Sequence, residues 1–162
     1  GYSQPVSLPL TFALSGNGRP DTIEVDVFLG ICRDICVPVG ARFEVPVDEE
    51  APKAMQALLL DAAFSALPSG NSDRLAVERA EWSDDGALEV AVRHSGSEAD
   101  LFVSAGADHP FGKPERISDE DGIALFRVEP SFDPAGMGEM DIVATARSGI
   151  DAVEAPFSVS AP

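Results

Sequence analysis

The sequence predicts an all-β protein built of antiparallel β-sandwich units joined by one helix. Three observations carry this. Apolar residues alternate with polar ones over short runs, the period of a strand with one buried face. Turn-forming clusters of Gly, Asp, Ser and Pro separate these runs at short intervals. Helical signals occur in one stretch only, residues 51–67, so there is no strand–helix–strand alternation, and no internal repeat is visible.

The elements follow in order. Val6, Leu8, Leu10, Phe12 and Leu14 alternate as in a half-buried strand, with Pro9 marking an edge or a bulge. Ser15-Gly16-Asn17-Gly18 reads as a turn. Ile23, Val25, Val27 and Leu29 form a second alternating strand, and Arg42–Val47 a short third. Asp48-Glu49-Glu50 and Pro52 then suit the start of a helix, where negative charge and a missing N–H are tolerated best. Met55, Leu58, Leu59, Ala62 and Phe64 fall on one helical face, and Pro68–Ser72 ends the helix. Seven further strands are expected near 75–82, 87–93, 99–105, 113–117, 122–128, 139–147 and 153–159. The organisation is therefore a β unit at 1–50, a helical connector at 51–72 and a second sandwich at 73–162.

Composition excludes several classes of function. The 162 residues are 44% hydrophobic and 24% charged, a globular balance. Eleven Lys+Arg against 28 Asp+Glu give a net charge of −17, which repels nucleic acid and anionic lipid faces. No apolar run reaches a membrane span, since Gln56, Asp61 and Ser65 interrupt the longest one. The start, Gly1-Tyr2-Ser3-Gln4-Pro5, lacks the basic head and apolar region of a signal peptide. The expectation is a soluble protein, or a soluble piece of a longer one.

Chemistry is concentrated at Cys32 and Cys36, in Gly30-Ile31-Cys32-Arg33-Asp34-Ile35-Cys36-Val37-Pro38. In a continuous strand their Cα atoms would lie about 13 Å apart, too far for a disulfide. If they pair, the chain turns between them, through a hairpin or one helical turn. So small a loop would contribute only about 2 kcal/mol of stability. A bond that adds so little, with both sulfurs in one turn, suits exchange better than a structural role. Arg33 would lower a neighbouring thiol pKa and Asp34 would raise it. An inert disulfide and a pair of buried free thiols stay open at this point. So does a metal site: Cys-x3-Cys with a distant His resembles the copper site of Sco-type chaperones, and His94, His109, Met137 and Met140 are available. That family has a thioredoxin fold, however, and the strand–helix alternation it needs is absent. No second Cys pair or His pair completes a zinc site.

Two motifs in order, Gly1-Tyr2 with Val6-Ser7-Leu8-Pro9-Leu10 and then Cys32-Arg33-Asp34-Ile35-Cys36-Val37-Pro38, resemble the periplasmic N-terminal domain of the DsbD/ScsB family of membrane thiol:disulfide interchange reductases. The resemblance implies immunoglobulin-like antiparallel β-sandwich units, with the cysteine pair on a hairpin between adjacent strands. It implies that Cys32 and Cys36 are the redox pair, and that Cys36 is the one joined to a downstream partner. It implies no cofactor. The partners would be a transmembrane reductase domain of the same or a partner chain, which donates electrons, and periplasmic thioredoxin-fold proteins, which receive them. The chain would then be the periplasmic, soluble part of an inner-membrane protein-disulfide reductase. Family members carry strands and an active-site cap loop before the Gly-Tyr motif, and nothing here matches the cap. The rival reading is a non-catalytic β-sandwich interaction module with a structural disulfide.

Other residues read as structural. Trp82 with Leu88, Val90 and Val92 belongs to the core of the second sandwich. His94 and His109 read as surface residues. Asp119-Glu120-Asp121 reads as a solvated turn rather than a calcium loop. No phosphate loop, serine nucleophile elbow or His-Glu-x-x-His motif occurs. Three strands in residues 1–50 would leave an apolar face uncovered. The expectation is that a second copy of the chain covers it, or that Met55, Leu58, Leu59 and Phe64 dock onto it.

Overall fold

The computed structural model describes residues 6–13, 20–32, 35–47, 53–96 and 98–161. The chain divides into two compact units, Gly1–Ala66 and Leu67–Pro162. It is predominantly β with one short helix, as the sequence predicts.

In the first unit, β1 (Thr22–Cys32) and β2 (Cys36–Pro46) pair antiparallel, in unbroken register from Thr22↔Pro46 to Cys32↔Cys36. Because side chains alternate across a strand, one face carries the pairs Ile23/Val45, Val25/Phe43, Val27/Ala41, Leu29/Val39 and Ile31/Val37. The other carries Glu24/Glu44 and Asp26/Arg42 near the base of the hairpin. Arg42 donates to both carboxylate oxygens of Asp26, at 2.7 and 3.1 Å, a bidentate pair that ties the two strands together.

The strands of the first unit depart from expectation in two ways. No strand forms over residues 6–13, where Pro9 removes a ladder donor. The remaining end of that run, Leu14, and the turn 15–18 lie outside the described residues. The strand expected at Arg42–Val47 begins instead at Cys36, passing through Pro38, because a two-stranded ladder has two edges on which proline is tolerated.

The helix α1 (Ala54–Ser65) opens with Gln56 Oε1 accepting the Lys53 N–H at 3.0 Å. The acidic run 48–50 and Pro52 lie outside the described residues. Leu58, Leu59 and Leu60 are consecutive, so their side chains point about 100° apart and the apolar surface runs round the helix rather than along one face. The expected docking of Met55, Leu58, Leu59 and Phe64 is not found, since all four are exposed.

The second unit contains β3 (Leu75–Trp82), β4 (Leu88–His94), β5 (Asp100–Ser104), β6 (Glu115–Glu120), β7 (Ile123–Val128), β8 (Glu139–Ser148) and β9 (Asp151–Ser160). One sheet has the order β3-β4-β7-β6 and the other β5-β8-β9, with every neighbouring pair antiparallel. In chain order this is the A-B-E-D and C-F-G arrangement of a constant-type immunoglobulin sandwich. The unit is immunoglobulin-like, without the inter-sheet disulfide of antibody domains, because neither β4 nor β8 carries a cysteine.

Alternation builds the core. Leu88, Val90 and Val92 of β4, Ala124, Phe126 and Val128 of β7, and Met140, Ile142, Ala144 and Ala146 of β8 all point inward. Trp82 packs beside them, stacked on Phe111 at a centroid distance of 6.0 Å and edge-on to Phe132 at 6.5 Å. The strand expected at 113–117 runs from Glu115 to Glu120, so Asp119 and Glu120 belong to a strand and not to a turn. The turn is Asp121-Gly122 alone. Both residues have positive φ, 53° and 78°, as a two-residue type I′ hairpin requires.

Two outcomes test this fold. Ile142→Ala should lower stability by about 2–5 kcal/mol in urea denaturation, while Val143→Ala on the opposite face should cost under about 1 kcal/mol. Acid should reveal the bond between β7 and the β3–β4 turn. Arg127 donates to both oxygens of Asp85, at 3.1 and 2.8 Å, and Ser83 Oγ donates at 2.6 Å. Together they hold the Asp85 carboxyl at about 2, below its usual 3.8. A depressed carboxyl contributes stability above its unfolded value and loses it as the pH falls through the folded one. Asp85→Asn should therefore flatten the loss of stability between about pH 4 and pH 2. An unchanged acid limb would count against the pairing.

Candidate functional site

The functional candidate is built by the hairpin itself. The last pair of the β1–β2 ladder is Cys32↔Cys36, and the two sulfurs are bonded at 2.01 Å across a Cα separation of 4.0 Å. The sequence left a hairpin or a helical turn open; the chain uses the hairpin. Among the described residues no free cysteine remains. Both cysteines are exposed, and Ile35 beside them is 75% exposed. Arg33 and Asp34, weighed above as opposing influences on a thiol, lie outside the described residues.

Charge is sparse among the described residues near the bond. From Phe28 to Cys32 and from Ile35 to Gly40, the described residues hold no ionisable side chain apart from the bonded cysteines. The closest charged cross-strand pair, Asp26/Arg42, is six residues back along β1, roughly 20 Å. On the apolar face, Ile31 and Val37 back the bond from behind. On the face that carries the sulfurs, the preceding pairs are Gly30/Pro38 and Phe28/Gly40. A Cβ added at Gly30 would lie 3.8 Å from Cys32 Sγ, which puts that glycine directly against the disulfide.

Phe28, on the sulfur-bearing face of the ladder, is a residue that sequence reasoning did not single out. Its signal is a break in parity: Thr22, Glu24 and Asp26 are polar on that face, and Phe28 follows them, 78% exposed. The alternation Val25, Val27, Leu29 drew attention to the other face.

The residues considered for copper occupy other settings, all in the second unit. His94 is not a surface residue. It continues the inward parity of Leu88, Val90 and Val92 and is only 6% exposed. Its Nδ1 lies 3.0 Å from the Gly96 carbonyl and its Nε2 3.0 Å from Asp119 Oδ1, so both ring nitrogens have partners inside the fold. Asp119 in turn accepts from Arg116 at 3.1 Å. His109 is half-buried, edge-on to Phe132 at 5.2 Å. Met140 is part of the core, whereas Met137 is exposed. Among the described residues no three His, Cys, Asp or Glu side chains come together as a metal site.

The second unit also has a groove of about 480 Å³, lined chiefly by Leu101, Phe102, Val103, Phe111 and Phe126, with Asp100 and Lys113 as its charged side chains. Among the described residues no helix is long and apolar enough to cross a membrane. No protein family, curated protein or solved structure matches the chain.

A five-residue loop already closed by a cross-strand pair has little entropy left for the disulfide to remove. Cys32→Ser with Cys36→Ser should therefore cost the first unit no more than about 2 kcal/mol. The same double variant should leave the unfolding transition of the second unit where it was, followed through Trp82 fluorescence.

Proposed function

We propose that the chain is a thiol–disulfide exchange domain of the DsbD/ScsB kind, acting in the periplasm. The carrying observation is a disulfide between two exposed cysteines at the end of a hairpin ladder. Exchange needs access to a sulfur, and a structural bond is usually denied that access by burial. A persistent disulfide also suits an oxidising compartment. The order of the Gly-Tyr and Cys-Arg-Asp-Ile-Cys motifs supports the family reading.

The chemistry balances without a cofactor. In the accepting half-reaction, a thiolate of the donor attacks one sulfur of the Cys32–Cys36 bond. A mixed disulfide forms as that bond breaks, and the other cysteine leaves as a thiolate. The donor's second thiolate then attacks its own sulfur in the mixed disulfide and releases the remaining cysteine. Two electrons have moved to the hairpin, the donor is left as a disulfide, and solvent supplies any protons the new thiolates take up. In the delivering half-reaction the reduced pair attacks a partner's disulfide by the same steps, with Cys36 carrying the mixed disulfide. The electron donor in this reading is a transmembrane reductase domain, and the acceptors are thioredoxin-fold proteins.

Redox titration against glutathione or dithiothreitol buffers tests this. An exchange pair should titrate between about −120 and −270 mV, the range of known dithiol exchangers. A midpoint below about −300 mV would make the bond structural and favour the interaction-module reading.

A further inference from the structure

The two sheets of the second unit are joined along one side and open along the other. Ahead of β3, Ser69 bridges to Val153 of β9: its N–H donates to the Ala152 carbonyl at 3.0 Å, and its own carbonyl accepts from Glu154 at 2.8 Å. On the opposite side the edge strands are β5 and β6, and among the described residues no backbone bridge joins them. The groove of about 480 Å³ lies here, against β5 and residues 111–114. Its size is that of a site for a small organic molecule.

Backbone bonds hold the walls. Leu101, Phe102 and Val103 belong to the β5–β8 ladder. Phe111 is bridged to Pro130, with the Gly112 N–H donating to the Glu129 carbonyl at 2.7 Å and the Ser131 N–H to the Pro110 carbonyl at 2.9 Å. A Cβ at Gly112 would come within 3.2 Å of that Glu129 oxygen, so glycine is what lets the two segments lie so close. Phe126 of β7 also lines the groove, and Phe111 stacks on Trp82. Such walls accept an apolar body and offer it few hydrogen bonds.

Charge selects the other half of a ligand. Residues 67–162 carry seven Lys and Arg side chains against 19 carboxylates. Every arginine among them is paired: Arg74 with Asp151, Arg79 with Glu81, Arg93 with Glu78, Arg116 with Asp119, Arg127 with Asp85 and Arg147 with Asp100. Lys113 has no ion-pair partner among the described residues, and it borders the groove. The one carboxylate on the groove, Asp100, accepts from Arg147 at 2.7 Å, so its charge is already compensated. The groove thus combines apolar walls with one uncompensated ammonium. At physiological ionic strength the acidic field of the whole chain is screened beyond about 8 Å, and the ammonium decides what is attracted locally.

We propose that this groove binds a small apolar carboxylic acid in its anionic form. The alkyl or aryl body lies against Leu101, Val103, Phe111 and Phe126, and the carboxylate accepts hydrogen bonds from Lys113 Nζ. An ammonium on a flexible stem has three donors and no acceptor, which suits a carboxylate better than a neutral polar group. The proposal is independent of the exchange reading, since every residue in it belongs to the second unit.

Trp82, the chain's one tryptophan, reports on the groove through its stacking on Phe111. The full chain is titrated with octanoate and with 1-octanol, its neutral counterpart, for wild type, Lys113→Met and Phe102→Ala. Octanoate should shift Trp82 emission saturably in wild type and move the backbone amide signals of residues 100–103 and 111–113. Lys113→Met keeps an apolar stem without the charge; it should weaken octanoate at least about 3-fold and leave octanol unchanged. Phe102→Ala removes part of a wall and should weaken both. Equal octanoate affinity in wild type and Lys113→Met would overturn the proposal. An equal loss of both ligands in that variant would also overturn it, by placing the effect on the shape of the groove. So would a wild type without a saturable response, or amide shifts confined to other residues. Groove amides that move with protein concentration alone would assign the groove to a second copy of the chain and overturn the proposal as well.

Discussion

The register of one hairpin governs the chemistry of the first unit. Setting Thr22 opposite Pro46 sets every later pair, and the last of them is Cys32 opposite Cys36. A slip of one residue would separate the sulfurs and carry each side chain of the slipped strand to the other face. The same register separates the apolar stripe, which runs the length of the ladder, from the face that carries the disulfide. The bidentate Asp26–Arg42 pair and five apolar cross-strand pairs hold it in place without the sulfur bond. A disulfide in such a position can open and close while the strands that present it stay paired.

The second unit is stabilised differently. Two sheets close over one continuous core supplied by β3, β4, β5, β7, β8 and β9. Its one buried ionisable side chain among the described residues, His94, has a partner at both ring nitrogens. That satisfies the requirement that a buried polar group find partners, and it leaves the imidazole nothing to offer a metal. Sequence position alone made His94 a strand-end residue; its parity with Val90 and Val92 makes it a core residue.

Charge divides the molecule's surface chemistry. The chain carries −17 overall, and yet the described residues around the sulfurs are neutral. Bulk acidity supports solubility and repels other acidic surfaces.

The sequence by itself determined the elements whose signals are local. Alternating Val, Ile and Leu located the seven strands of the second unit to within a few residues, since an in–out period of two is written along one strand. Clusters such as Asp119-Glu120-Asp121-Gly122 marked the turns, though here only Asp121-Gly122 makes the turn, since positive φ favours particular residues. The Cys-x3-Cys spacing required that any pairing close a turn, because extended geometry forbids the bond. Tertiary structure decided what depends on partners distant in the chain. The sequence marked strands at Ile23–Leu29 and Arg42–Val47, but only the pairing of Thr22–Cys32 with Cys36–Pro46 put Gly40 beside Phe28 and Cys32 beside Cys36. Only the sheet order β4-β7-β6 brought Asp119 within 3.0 Å of His94. The division of seven strands into sheets of four and three likewise follows from which edges meet in space, a choice made by burial of both sheets at once and not written in any single strand.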